Sequence, residues 1–330
     1  MKFLIIRLSS LGDIIHTLPV LNALRKSYPN AQIDWLTGDK GIEILSLIKE
    51  IDTLHIFTSE VVQKLQKENY DYVIDVQGLL KTALAGKLCL GKKLIGFKNT
   101  REFAHIFYDE KVDVGNLFKT KTHIVDLNLQ LISSLNKTKE VKFLIPKICE
   151  SSIIINSSGK KSALLFPSTT WDSKHWENDY WFELIKEISG EYDISILASK
   201  SEIDKLSYLT NKLSENNIEF NNLIGKTSIK DLIYLIQRSN LVIGLDSAGL
   251  HLASAIKNDF GSPNVIGIYG PTSILRNGPY KSIENSLYLS ELNCLPCKKK
   301  ICPLKHHDCM KKLLPGYVVD KLTQTSLRGA

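Results

Sequence analysis

Short runs rich in β-branched and aromatic residues alternate with longer helix-period stretches along most of the chain, and this alternation limits the possible folds more than any single motif. In the first half the strand candidates are Phe3 to Leu8, Gln32 to Leu36, Leu54 to Phe57, Tyr72 to Val76 and Leu94 to Phe97, with helices between them. A helical stretch follows from 116 to 135, and then a polar, uneven segment from Lys137 to Lys161 that contains Pro146 and Ser157-Ser158-Gly159. The pattern then repeats, with strands expected near Ala163 to Phe166, Ile194 to Ala198, Leu223 to Ile224, Leu241 to Leu245 and Val265 to Tyr269, and helices near 178 to 189, 201 to 214, 228 to 238 and 247 to 256. Parallel strands need helix-length crossovers, so this order predicts an α/β fold of two doubly wound, Rossmann-like domains, residues 1–155 and 156–330, facing a central cleft.

Length agrees, since 330 residues suffice for two such domains, each with its own core. With 43% hydrophobic and 23% charged residues the chain reads as a folded protein rather than a disordered one. No apolar run reaches the roughly 18 residues of a spanning helix, and the opening MKFLIIRLSSLGD reads as a strand entering a polar loop rather than a signal peptide. A cytoplasmic location is therefore expected. The formal charge of +7 is spread over many lysines, which describes a solvated surface and would also favour an anionic membrane or acidic substrate. Nucleic acid is not expected as a partner, because no dense basic run is interleaved with aromatics.

Ligands of doubly wound sheets sit beyond the carboxyl ends of the strands, so the loops there are the candidate sites. After the first strand comes Ser9-Ser10-Leu11-Gly12-Asp13, small residues leading into a helix; Asp13 reads either as a cap of that helix or as a general base. It is no dinucleotide fingerprint, since the G-x-G-x-x-G spacing is absent, and this argues against a nicotinamide oxidoreductase. Asp75-Val76-Gln77-Gly78-Leu79-Leu80-Lys81 ends another strand and reads equally as an ordinary turn or, with Lys98 and Arg101 nearby, as an anion-facing loop. In the second half, Ser168 to Trp176 brings Thr169, Thr170 and Lys174 ahead of a helix, hydroxyls and an ammonium suited to a diphosphate, while Trp171 and Trp176 also suit a core. Asp246-Ser247-Ala248-Gly249-Leu250-His251 is a small-residue helix start able to receive phosphate oxygens, although a lone His251 also fits an ordinary packing role. Gly270-Pro271-Thr272 reads as a tight turn.

Taken together and in order, SSLGDIIHTLP, DVQGLLKTA, STTWDSKHW, LDSAGLHLASA and YGPT resemble the lipopolysaccharide heptosyltransferases of glycosyltransferase family nine. DVQGLLKTA and the TRE of residues 100 to 102 lean towards type I rather than type II. The resemblance implies a GT-B architecture, ADP-L-glycero-β-D-manno-heptose as donor, and a Kdo residue of lipid A inner core as acceptor at the inner-membrane surface. Carried over by position, it implies Asp13 as catalytic base. Thr169, Thr170 and Lys174 become diphosphate contacts, Glu202 the ribose contact, and Asp246, Ser247, Ala248 and His251 the loop around donor heptose and phosphate. Ser10, Gly12, Lys81 and Arg101 fall on the acceptor side. Two departures bear on recognition: Ser247-Ala248 stands where the family often has Thr-Gly, and a basic insertion after the third strand is shorter here.

Four of the six cysteines, Cys294, Cys297, Cys302 and Cys309, cluster near the end with His306 and His307 among them. In a reducing compartment the spacing suits a structural zinc or iron–sulfur site, with free thiols as the alternative. GT-B transfer itself implies no cofactor. A transferase of another nucleotide sugar and a non-catalytic nucleotide- or metal-binding protein are the competing readings.

Overall fold

The computed structural model describes residues 1–89, 91–117 and 119–328, and it divides into two compact units, Met1–Pro146 and Lys147–Ala330. The division falls earlier than the expected boundary after residue 155. Residues 148 to 156 are hydrogen-bonded into the second unit: Gln237 accepts from the Ile148 N–H, Arg238 donates to the Ile148 and Cys149 carbonyls, Ser151 bonds Asp231, and Asn156 exchanges bonds with Asn221.

In the first unit, β1 (Lys2–Ile6), β2 (Gln32–Thr37), β3 (Thr53–Ile56), β4 (Tyr72–Asp75), β5 (Lys93–Phe97) and β6 (Glu110–Val112) form one fully parallel sheet in the order β3-β2-β1-β4-β5-β6. Phe3 to Ile6 are fully buried, as a central strand covered on both faces requires. Helices α1 (Leu11–Ile15), α2 (Leu18–Ser27), α3 (Asp39–Leu45), α4 (Ser59–Leu65), α5 (Leu80–Leu88) and α6 (Ile124–Leu131) connect and flank these strands. The helix expected over 116 to 135 contracts to α6, whose start is set by His123: its Nδ1 accepts from the Val125 N–H. Phe118 lies outside the described residues.

The second unit repeats the plan with β7 (Lys161–Phe166), β8 (Tyr192–Ile196), β9 (Asn221–Asn222), β10 (Leu241–Leu245) and β11 (Asn264–Ile268), all parallel, in the order β11-β10-β7-β8-β9. Its helices are α7 (Asn178–Ile188), α8 (Ile203–Glu215), α9 (Ile229–Arg238), α10 (Ala248–Phe260), α11 (Ile274–Asn277), α12 (Asp308–Lys311) and α13 (Pro315–Arg328), and α13 packs on α7. Strand β6 has no counterpart among the expected strands, and β9 sits two residues before its expected place. Both are short, mostly polar edge strands, which lack the apolar run that marks a central one.

In both sheets the strand order reverses once, between β1 and β4 and between β7 and β10. At such a switch point the two following loops diverge to opposite faces and leave a crevice at the carboxyl edge. The four candidate loops are the ones that leave these strands.

Candidate active site

In the first unit the loop after β1 is held by the loop after β4. Gln77 Oε1 accepts from the Leu8 and Ser9 N–H groups at 3.1 and 3.3 Å, and the Arg7 guanidinium donates to the Val76 carbonyl at 2.8 Å. The same guanidinium pairs with Asp13 at 3.0 Å. Asp13 also accepts from the Ser10 backbone N–H at 3.1 Å and hydroxyl at 2.8 Å, so it does cap α1. Its side chain nonetheless keeps 38% of its exposure, which leaves the carboxylate reachable. Burial raises its pKa, but Arg7 and the two Ser10 bonds outweigh it and hold the carboxyl below the usual carboxylate range. Asp13 is thus ionised at neutral pH and able to accept a proton. Gly12 is buried in the first turn of α1 and Ser10 is exposed at its cap.

Arg7 is not among the expected site residues; a charged residue closing an otherwise apolar strand is the signal that points to it. Asp75 is expected only as part of its loop. It is fully buried and shapes that loop, accepting from the Gln77 and Gly78 N–H groups, the Thr82 hydroxyl and the Tyr108 hydroxyl at 2.7 Å. Burial pushes its pKa up against those four bonds. Gly78 takes a φ of +70°, a backbone conformation that favours glycine and lets the chain turn sharply from β4 into α5. Lys81 lies exposed on the first turn of α5, and Arg101 is exposed in the turn after β5.

In the second unit the centre is Asp246, at the end of β10 and 3% exposed. Its carboxylate receives Lys174 Nζ at 2.8 Å, His251 Nε2 at 3.0 Å and the Thr272 hydroxyl at 2.6 Å. Burial alone would raise its pKa, yet Lys174 and His251 hold it far below the ordinary value. Asp246 therefore offers a ligand little directly; it fixes Lys174, His251 and Thr272 around it. Lys174 is also held by the Asp246 carbonyl at 3.3 Å and sits 4.6 Å from the centre of the Trp171 ring, so one ammonium spans the loops after β7 and β10. Thr272, expected only as part of a turn, proves to be a third anchor of this carboxylate.

Thr169 is buried and its hydroxyl reaches the Asp246 carbonyl at 3.4 Å, whereas Thr170 is exposed. Trp176 is core, stacked edge-on with Trp181 at 5.1 Å, as its alternative reading holds. Glu202, in the loop after β8, accepts a short hydrogen bond from Ser168 and lies 3.6 Å from Lys205. Ser247 occupies the N-terminal boundary of α10 without capping it, its hydroxyl oxygen buried with no hydrogen-bond partner, and Ala248 and Gly249 follow in the first turn. A Cβ at Gly249 would come within 2.5 Å of the Phe166 ring, so the helix start lies directly on β7. Its first N–H groups have no partner within the helix and carry partial positive charge, an arrangement that with Lys174 is chemically suited to an anion such as a phosphate.

Cys294, Cys297, Cys302 and Cys309 line one pocket together with His306 and His307. These are soft and borderline donors suited to zinc or iron. Among the described residues, however, no three such side chains are already arranged around a metal position. The segment also braces the loops after β7 and β11: Ser173 is held by the Lys299 and Lys300 carbonyls and by His307, and the Lys298 N–H donates to Pro271.

Residues 58–307 match the family glycosyltransferase family 9 (heptosyltransferase). The chain belongs to this family. The matched span takes in the loops after β4, β7 and β10, while Ser10, Gly12 and Asp13 precede it. As a family 9 glycosyltransferase, the chain is 28% identical over 327 residues to lipooligosaccharide heptosyltransferase 2 of Campylobacter jejuni, with 96% of each chain covered. It is 26% identical to lipopolysaccharide heptosyltransferase 1 of Escherichia coli K12, over 86% of this chain and 96% of that one. Among solved structures, E. coli heptosyltransferase WaaC with ADP shares the fold with a TM-score of 0.68 and 24% identity, over 84% of this chain and 90% of that chain. Paired Rossmann-like units in a family 9 glycosyltransferase are the GT-B architecture.

Proposed function

We propose that this glycosyltransferase moves heptose from ADP-L-glycero-β-D-manno-heptose to Kdo of the lipid A inner core, in lipopolysaccharide synthesis at the cytoplasmic face of the inner membrane. The observation that carries the donor side is the Lys174–Asp246–His251 cluster beside the bare start of α10, an anion receptor at a switch point. The first unit supplies the acceptor side. Asp13 takes the proton of the attacking hydroxyl as its oxygen bonds to the anomeric carbon, and the bond from that carbon to the β-phosphate oxygen breaks with inversion. Lys174, Thr169, Thr170 and the first N–H groups of α10 receive the negative charge that builds on departing ADP. Glu202 contacts the ribose, Ser247, Ala248 and His251 border the donor heptose, and Ser10, Gly12, Lys81 and Arg101 border the acceptor. No step passes through the four thiols; whether they hold a structural zinc or iron–sulfur group or stay free thiols is decided by elemental analysis of the purified protein.

A second reading is favoured by the match to a heptosyltransferase 2 over nearly the whole chain: the acceptor would then be an inner-core heptose. ADP release with ADP-heptose, supplied with either Kdo–lipid A or its singly heptosylated form, separates the two. Turnover on Kdo–lipid A supports the first reading, turnover only on the heptosylated acceptor the second, and release with neither rejects both. Asp13→Asn should lower kcat by about 10²–10⁴ while leaving calorimetric ADP affinity intact.

A further inference from the structure

Helix α5 presents its apolar side chains in the opposite sense from an ordinary surface helix. The face turned inward carries small residues, Thr82, Ala83, Ala85 and Gly86, whereas Leu80, Leu84 and Leu88, four residues apart and so in line along one face, are 43%, 45% and 42% exposed. The turn Ala104–Phe107 packs against this helix, Ala104 and Phe107 joining Ala83 in one core. That contact brings Phe103, 73% exposed, and Ile106, 64% exposed, onto adjoining surface. Five large apolar side chains thus project from one part of the first unit. Scattered exposed leucines need no explanation, but a grouped set does.

The surroundings are basic. Between Leu79 and Asp113 the chain has seven lysines and arginines against four acids. Lys81 and Lys87 lie on the exposed side of α5 with the leucines. Lys87 and Lys98 pair with Asp109 and Asp113, but both lysines stay at least half exposed, and such surface pairs open at little cost. Projecting Leu and Phe side chains among lysines are the pattern of a surface that enters the headgroup layer of an anionic bilayer. The patch also adjoins the acceptor side: the Leu80 N–H is held by Glu102, and the loop that leads into α5 is the one whose Gln77 grips Leu8 and Ser9 beside Asp13.

We propose that the exposed face of α5 and the turn around Phe103 form the surface by which this enzyme docks on an anionic bilayer. The proposal rests on the reading above that the acceptor is a lipid. Docking there would bring the loops around Asp13 to the plane from which that acceptor projects.

The test is flotation of the full chain with phosphatidylethanolamine–phosphatidylglycerol vesicles, against phosphatidylcholine vesicles, for wild type and for Leu84→Gln/Phe103→Gln. Both side chains are exposed and lie outside the assigned active site, so the variant should fold. The expected result is wild-type binding that prefers the anionic vesicles and weakens with salt, an approximately tenfold or greater loss of partitioning in the variant, and unchanged turnover on a deacylated, water-soluble acceptor. Wild type that stays in solution, or a variant that floats like wild type, would overturn the proposal. So would a patch that instead holds two copies together, seen as a wild-type dimer and a monomeric variant with equal vesicle binding. Absence of turnover on the soluble acceptor in wild type would count against the transfer reaction alone and leave the vesicle result to stand.

Discussion

The Arg7–Asp13 pair sets how good a base the first unit can offer. A carboxylate held below its usual range stays ionised at neutral pH, though it binds a proton weakly, and the proposed role uses it only while the attacking bond forms. Arg7→Met keeps much of the packing and removes the charge. The opposing effect of burial is then less countered, so the Asp13 pKa should rise. The acid limb of kcat/KM, followed by ADP release against pH, should therefore move to higher pH, and an unmoved limb would show that another group governs it. Asp13 is legible in the sequence because its loop follows a strong strand candidate. Arg7 is visible only as a charge in an apolar run; its pairing with Asp13 is not, because a pattern along the chain does not show which cation folds back onto which carboxylate.

At the scale of elements, the two chain segments that matter most to the proposed donor side are β7 and α10. The helix begins against the strand because Gly249 has no side chain, and the Phe166 ring occupies the space a Cβ would need. Gly249→Ala should force the ring or the helix start to shift, costing about 1–3 kcal/mol of stability in urea unfolding. ADP affinity should fall with it, because the same shift displaces the N–H groups of the first turn. Lost stability with intact affinity would separate the packing from the anion receptor. Central strands such as β1, β4, β7 and β10 are readable from sequence because burial on both faces demands continuous apolar runs. The edge strands β6 and β9 are not, being only two or three mostly polar residues each, and α6 begins only at Ile124 because the His123 cap sets its start, which a periodicity reading from 116 does not show.

For the molecule as a whole, the repeated alternation foretells two Rossmann-like units, and the loops beyond the strand ends are legible as candidate sites. What stays hidden is how far the site charges are spent on one another. Asp246 is the clearest case: three side chains from three separate loops or helices converge on it, a long-range arrangement with no local signature. Stability should therefore depend on pH through this carboxylate. In the folded state the Asp246 pKa lies far below its unfolded value, which is near the ordinary aspartate value of about 3.9. The contribution is thus fully present above about pH 5 and is lost as the unfolded chain begins to take up a proton that the native carboxylate refuses. Asp75 works in the opposite sense, since its raised pKa makes the folded state hold a proton to higher pH than the unfolded chain, so its own contribution gains as pH falls. The urea midpoint followed from pH 7 downward should begin to fall near about pH 5 and steepen below about pH 4. Asp246→Asn should be less stable at pH 7, because the partly buried Lys174 is left without its counter-charge, and should show a shallower acid decline. A variant with the same acid slope as wild type would mean that other carboxylates, not this one, govern acid unfolding.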